Sequence, residues 1–379
     1  MGIFSGFKAQ KPLVVIAPDK FKGTLRATEV ASEIAAACTR ATVRVCPMCD
    51  GGDGTAQILG ALFALPACTM PVPDALGEEH DVTYYNDGHQ AVVDSASVIG
   101  LASLAGRELR PSQSTSYGLG MLVRRLLDSG TEHIYVGIGG TATVDCGAGF
   151  LQALGARFAD VEGAELAAPV RAADLDRIYA IDLSGVNGRD IRRRITVLSD
   201  VAVPLEDSLM FAAQKGVTPA ETERLRAALA NFRAAVDETL LPSDSVDMHG
   251  GAGGGLGYAF ERVLRCDVAD GARFMIDRYC IFCGTEPSLV ITGEGAIDTQ
   301  TGTGKVVGAL YSEARKRNIP VVAVVGCDRL EGTRPGLAVL STEQWLGSTP
   351  LTHDTALAAL RGALRDGLRA ICSRMSVSV

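Results

Sequence analysis

The chain is 379 residues long, 47% hydrophobic and 21% charged, with a formal net charge of −8. That length exceeds what one hydrophobic core supports, so two domains are expected. The acidic balance excludes a nucleic-acid surface, which needs a basic stripe, and no apolar run reaches the roughly 18 residues of a membrane-crossing helix. The opening MGIFSGFKAQ has too short an apolar part for a secretory signal, and Gly6 stands where a myristoylation pattern needs Ser or Thr. The expected location is the cytoplasm, with no membrane and no nucleic-acid partner; monomer and homodimer both stay open.

In chain order, the first strand signal is PLVVIAP (12–18), followed by the charged turn APDKFKGT (17–24) and a helical pattern from Thr28 to Arg40. TVRVCPM (42–48) reads as a second strand and Gly54 to Ala64 as a second helix. From about residue 70 to 280 the texture changes, with polar alternation in HDVTYYN and HQAVVDSA, long Gly-rich loops and an amphipathic helix from Pro219 to Glu238. The apolar, β-branched runs then return as SLVITG (288–293), PVVAVVG (320–326) and LAVLS (337–341). Helical patterns from Lys305 to Arg317 and from Asp354 to Arg374 accompany them. Short strands apolar on both faces, alternating with helices, predict an α/β fold. The expected architecture is a doubly wound parallel-sheet (Rossmann-like) domain from residues 1–68 and 284–379, with a second α/β domain, 69–283, inserted into it. An insertion of that kind puts the expected active site in the interdomain cleft.

The ten cysteines are too few for a disulfide scaffold in a chain this long. Cys46 with Cys49, and Cys280 with Cys283, have C-x-x-C spacing, which raises a four-thiolate zinc site. Cys46 sits in an apolar run and neither pair has a Gly-bearing knuckle, so small buried thiols are the better reading.

Five segments join glycines to acids or lysines at strand ends: APDKFKGT, CDGGDGT (49–55), GIGGTATVDCGAG (137–149), HGGAGGGLG (249–257) and TGEGAIDTQTGTGK (292–305). Glycine lets backbone N–H groups approach an anion, and a helix N-terminus adds positive potential. Carboxylates beside such a cradle suit magnesium, which takes one or two carboxylates plus phosphate oxygens. Known nucleotide fingerprints fail: Thr299 and Val306 break the P-loop pattern, and no cluster spells G-x-G-x-x-G. The five histidines are scattered and no G-x-S-x-G elbow supports a serine nucleophile. Asp94 and Asp200 each follow an apolar run, a position from which a carboxylate projects into a cleft, and Lys215 precedes a glycine in AAQKG.

VVIAPDKFKGT, CDGGDGTAQ, GIGGTATVDCGAGFLQALG, SDVAVPL, AQKG, GAGGGLG and LVITGEGAIDTQTGTGK occur in the order seen in the bacterial-type glycerate kinases of the first class. The resemblance spans about residues 12 to 345 and implies a two-domain kinase that uses ATP and Mg2+ to phosphorylate D-glycerate at its 2-hydroxyl. Phosphoryl transfer is mostly positioning and charge neutralisation. On that reading Lys22, with Lys20 assisting, meets phosphate or the substrate carboxylate, and Lys215 and Lys305 are further phosphate candidates. Asp50, Asp53, Glu294 and Asp298 are the candidate metal ligands, and Asp200 or Asp145 orients the attacking hydroxyl and takes its proton. Gly139, Gly140, Thr141, Gly253, Gly254 and Gly255 supply donors to the nucleotide. The sequence departs from the family pattern at Lys20 (Ser there), Asp53 (Glu), Val144 and Val203 (Asn), FAAQKG (Phe-Gly-Pro-Gln-Lys-Gly) and Ala296 (Arg). These departures leave open a paralogue for another small hydroxy acid and a catalytically weak nucleotide- or carboxylate-binding sensor.

Overall fold

The structure is a computed structural model that describes residues 11–187, 190–240, 247–298, 305–330, 332 and 334–379. The chain starts one sheet with β1 (Leu13–Pro18), helix α1 (Ala27–Ala37) and β2 (Thr42–Val45). It then builds another from α2 (Thr55–Leu62), β3 (Ala67–Pro73), β4 (Glu79–Asn86), β5 (Gln90–Asp94), β6 (His133–Gly137), β7 (Arg157–Ala159), β8 (Ala180–Asp182), β9 (Ile195–Ser199) and β10 (Asp267–Asp270). It returns to the first sheet with β11 (Leu289–Ile297), β12 (Val321–Asp328) and β13 (Leu337–Ser341). The inserted α/β architecture read from the sequence is the one observed.

The first sheet is all parallel, in the order β13-β12-β11-β1-β2. Its strands are apolar on both faces because both faces are covered. Val322 and Val324 pack with Val30, Ile34 and Leu360, whereas Ala323 and Val325 point the other way, onto Val307. α1 serves this core through Ala27, Val30, Ala31 and Ile34, the spacing of one helical stripe. From β1 the chain steps to β2, and from β11 it steps the opposite way to β12. The loops after β1 and β11 therefore diverge at a topological switch point, where ligands of open α/β sheets bind.

Two expectations change here. The second strand ends at Val45 rather than Met48, and as the sheet edge it leaves Val43 and Val45 exposed. The C-terminal helix is three pieces, His353–Ala363, a π-helical turn Leu364–Leu368 and Arg369–Arg374. Gly367 sits in that turn so close to Leu340 that a Cβ would lie 2.6 Å from its Cδ1.

The second sheet is mixed, in the order β10-β9-β6-β5-β4-β3. β3, β4 and β5 pair antiparallel; β5, β6, β9 and β10 pair parallel. β7 and β8 form a separate two-stranded ribbon. The amphipathic helix runs Pro219–Thr239, with Pro at its first turn and a reciprocal Thr218–Glu221 capping box. It buries Leu225, Ala228, Leu229, Phe232, Ala235 and Val236.

The chain divides into two compact units, one ending at Cys49 and resuming at Met275, the other Asp50–Phe274. The divisions fall earlier than the texture of the sequence placed them. Residues 50–62 belong to the inserted unit because Asp94 holds the start of α2 and the Tyr85 ring packs against Gly60. Residues 275–283 belong to the other because Arg44 donates to the Ile281 carbonyl. No helix among the described residues is long and apolar enough to cross a membrane.

Candidate functional site

In the inserted unit, β5, β6, β9 and β10 end at Asp94, Gly137, Ser199 and Asp270, and the turn 50–54 lies across those four ends. Gly54 N and Ala56 N donate to the Asp94 carboxylate (3.0 and 2.8 Å). Gly139 N donates to Gly51 O (3.0 Å). At Gly51 (φ 96°) a Cβ would lie 2.5 Å from Leu198 O, so only glycine lets the turn lie flat on β9. Asp94, expected to project into a cleft, instead holds the start of α2 from the end of β5. Thr55, the first residue of α2, turns its hydroxyl back to donate to Gly52 O (2.7 Å).

This threading brings two acids to the Gly139–Gly140 pair. Asp200 follows β9, and its Oδ2 lies 2.7 Å from where a Gly139 Cβ would be. Asp53, exposed, borders Gly140: its N and Cβ lie 3.9 and 4.0 Å from where that residue's Cβ would be. Asp50 is half-buried and accepts from Gly52 N (3.0 Å). Gly139, Gly140, Asp50, Asp53 and Asp200 are thus assembled on one edge of one sheet.

Asp145 and Lys215 lie deeper. The Asp145 carboxylate is fully buried and accepts from Ser116 N (2.7 Å), Ser116 Oγ (2.8 Å), Gly149 N (3.2 Å) and Gly147 N (3.3 Å). Burial pushes its pKa up and those donors oppose the push. It fastens the start of the helix Ala148–Leu154 to Ser116, so it is a structural acid and not an accessible base. Ser116, its partner, ends the polar run PSQSTS (111–116), where nothing local announces a buried acid 29 residues further on.

Lys215 is 4% exposed and donates to Thr141 Oγ1 (3.0 Å) and Thr143 O (2.8 Å). Burial lowers its pKa to about 8, against the opposing pull of Asp145 and Asp200. Thr141, expected at the nucleotide, has its hydroxyl oxygen engaged by this lysine. The Gly253–Gly255 turn, expected to offer donors to phosphate, packs against the same loop. A Cβ at Gly254 would meet Thr143 O at 2.0 Å and Lys215 Nζ at 2.7 Å, and Gly255 N donates to Gly251 O.

In the other unit the switch point carries the loop after β1. Phe21 and Leu25, both buried, exchange backbone hydrogen bonds (2.8 and 3.0 Å) and hold Lys22 and Gly23 at the exposed tip. Asp19 is buried, accepts from Lys20 N (2.7 Å) and pairs with Lys20 Nζ at 3.7 Å. Across the switch point, Glu294 is buried on β11 and a Cβ at Gly295 would lie 3.1 Å from Lys22 N. Asp298 and Lys305 are half-buried and bracket 299–304, so Thr299 and the TGTG segment lie outside the described residues. Cys46 and Cys49 are buried, as read, but Cys280 and Cys283 are exposed. Among the described residues, no three His, Cys, Asp or Glu side chains converge as metal ligands.

An α/β chain with acids, glycines and lysines collected at its strand ends has the features of a phosphoryl-transfer enzyme. The chain belongs to the glycerate kinase family, whose model matches residues 14–376. It is 36% identical to a glycerate kinase of Haemophilus influenzae over 330 residues, 83% of this chain and 86% of that one. It is 34% identical to a glycerate 2-kinase of Escherichia coli over 329 residues, 83% and 84% of the two chains. The crystal structure of a candidate glycerate kinase 2 from Salmonella typhimurium LT2 superposes with a TM-score of 0.77 at 31% identity, covering 97% of this chain and 100% of that one. The protein is therefore a kinase-family enzyme, and membership implies ATP as donor and glycerate as acceptor.

Proposed function

We propose that the enzyme transfers the γ-phosphoryl group of ATP to D-glycerate at its 2-hydroxyl. The observation that carries this reading is the pair of acids, Asp53 and Asp200, flanking Gly139–Gly140 at the C-terminal ends of parallel strands. Asp200 is assigned the hydroxyl: its carboxylate accepts the proton as the oxygen attacks, a role Asp145 cannot take because its oxygens already serve Ser116 and the helix start. Asp53 and Asp50 would hold magnesium directly or through water. The donor set suits that ion, since two carboxylates leave the remaining positions to phosphate oxygens and water. Magnesium, when bound, supplies neutralisation of charge on the transferring group. Lys22, at an exposed loop tip, is assigned to phosphate or to the glycerate carboxylate. Attack by the 2-hydroxyl is favoured by the name of the Escherichia coli relative, a glycerate 2-kinase.

The test is ADP release across a panel of small hydroxy acids, with NMR of the product. D-glycerate is expected to give the highest kcat/KM, with phosphorus coupled to the proton on carbon 2. Coupling to the carbon 3 protons would overturn the regiochemistry, and a higher kcat/KM for another hydroxy acid would overturn the substrate. Ligand-dependent melting without turnover would favour the sensor.

A further inference from the structure

Of the ten cysteines, only Cys280 and Cys283 are exposed; six are buried and Cys68 and Cys327 are half-buried. The exposed pair brackets a turn, C-I-F-C, in which Cys283 N donates to Cys280 O (3.0 Å). An i to i+3 turn of that kind holds its end Cα atoms within about 7 Å, and a disulfide spans roughly 4.4–6.8 Å between Cα atoms. The turn also brings the two thiols together, close enough for Cys280 to act directly on Cys283.

The two residues between the thiols pin the turn. Ile281 is fully buried and its carbonyl accepts from Arg44. Phe282 lies under the Arg317 guanidinium, 4.9 Å from the ring centroid. Cys280 itself is held at φ 49°, a left-handed conformation that a residue with a Cβ keeps only when its surroundings impose it. Ring closure therefore costs little further ordering of the backbone, since the turn is already formed around the facing thiols.

We propose that Cys280 and Cys283 form a dithiol–disulfide site that exchanges with small-molecule disulfides in solution. Cys280, as thiolate, is assigned the first attack. It attacks one sulfur of the small disulfide, the S–S bond breaks, and the departing thiolate takes up a proton. Cys283, deprotonated in turn, attacks the Cys280 sulfur of the mixed disulfide and expels the second small thiol. Two protein thiols become one disulfide, and the small disulfide gains two electrons and two protons. The neighbouring Cys280 thiol, first of all, pushes the Cys283 thiol's pKa up, with Asp277 adding and Arg317 opposing, as suits the second nucleophile.

The test uses the full chain and oxidised glutathione. Native Ellman titration is expected to find two fast-reacting thiols before oxidation and none after it. Peptide mapping is expected to show Cys280 joined to Cys283 within one chain, reversed by dithiothreitol. C283S is expected to stall with one glutathione on Cys280, and the C280S/C283S variant to consume none. The proposal falls if wild-type chains carry only mixed disulfides or crosslinks between chains. It also falls if the two thiols react only after a chelator removes a bound metal. The wild-type map reads the outcome even where a variant fails to fold.

Discussion

The strand-end edges of the two units use similar residues in opposite ways. In the inserted unit, acids and glycines are locked into one another: Asp94 holds α2, Asp145 holds Ser116 and the helix start, and Lys215 holds Thr141 and Thr143. At the switch point of the other unit, the charge is presented on a short loop whose tip, Lys22, is exposed and whose shape comes from Phe21 and Leu25. A strand-end position alone does not make an acid catalytic. The backbone donors that claim its oxygens, and its complete burial, mark Asp145 as a fastener.

That separation is broken or kept by exchanging the two acids that the sequence left as alternatives. Asp200→Asn is expected to lower kcat by about 10²–10⁴-fold, the range of a lost general base, while the unfolding midpoint stays near that of the wild type. Asp145→Ala is expected to do the reverse. It strands the buried donors of Ser116, Gly147 and Gly149, at a cost of about 3 kcal/mol in unfolding free energy. Steady-state kinetics and urea unfolding on both variants decide the matter. If Asp145→Ala stays stable but loses turnover, Asp145 belongs to the chemistry and the division into fasteners and base collapses.

Lys215 sharpens the same contrast through pH. Its folded pKa is lowered to about 8 from 10.5, so burial disfavours the ammonium. Below pH 8 both states are protonated and the folded state bears the full penalty, about 3 kcal/mol. Between pH 8 and 10.5 the unfolded chain binds more protons at this site than the folded chain, so unfolding free energy rises with pH. Above 10.5 both are neutral and the penalty is gone. Measured as the difference between wild type and Lys215→Met, stability is expected to climb by about 3 kcal/mol across that window. A flat difference would mean that the ammonium is matched by Asp145 and Asp200, making Lys215 part of a balanced charge cluster.

Much of the first sheet was legible because its strands are buried on both faces, so burial is written as continuous apolar runs from Leu13 to Pro18 and from Val321 to Val325. The long helix was legible as an amphipathic pattern from Pro219 to Glu238, within a residue of its observed end at Thr239. The candidate site was legible as a set of segments but not as a set of roles. Asp94 and Asp145 both lie beside apolar runs, yet their parts are set by donors 29 to 40 residues away in sequence, Ser116 for one and the start of α2 for the other. The glycines misled for a related reason. Gly254 is a glycine because Thr143 O and Lys215 Nζ stand where a side chain would be, a contact no local pattern announces. The break in the C-terminal helix at Leu364–Leu368 was hidden in the same way, since it depends on Leu340.

The exposed edge is tested most finely by its two lysines. Lys20 lies close to its own neighbour, 3.7 Å from Asp19, and its side chain is 19% exposed; Lys22 stands at the loop tip. A lysine assigned to an anionic group contributes roughly 1.5–3 kcal/mol as a charge-assisted hydrogen bond. Lys22→Ala is therefore expected to reduce kcat/KM by about 10–100-fold with unfolding unchanged. Lys20→Ser, which restores the residue of the family pattern, is expected to change kcat/KM less than about fivefold, about 1 kcal/mol of transition-state stabilisation. Kinetics with ATP and with glycerate varied in turn identify which ligand Lys22 meets, since the KM of that ligand carries the loss. If the two variants exchange places, the partly buried Asp19–Lys20 pair is the working part of the edge and the exposed tip is only its solvated end.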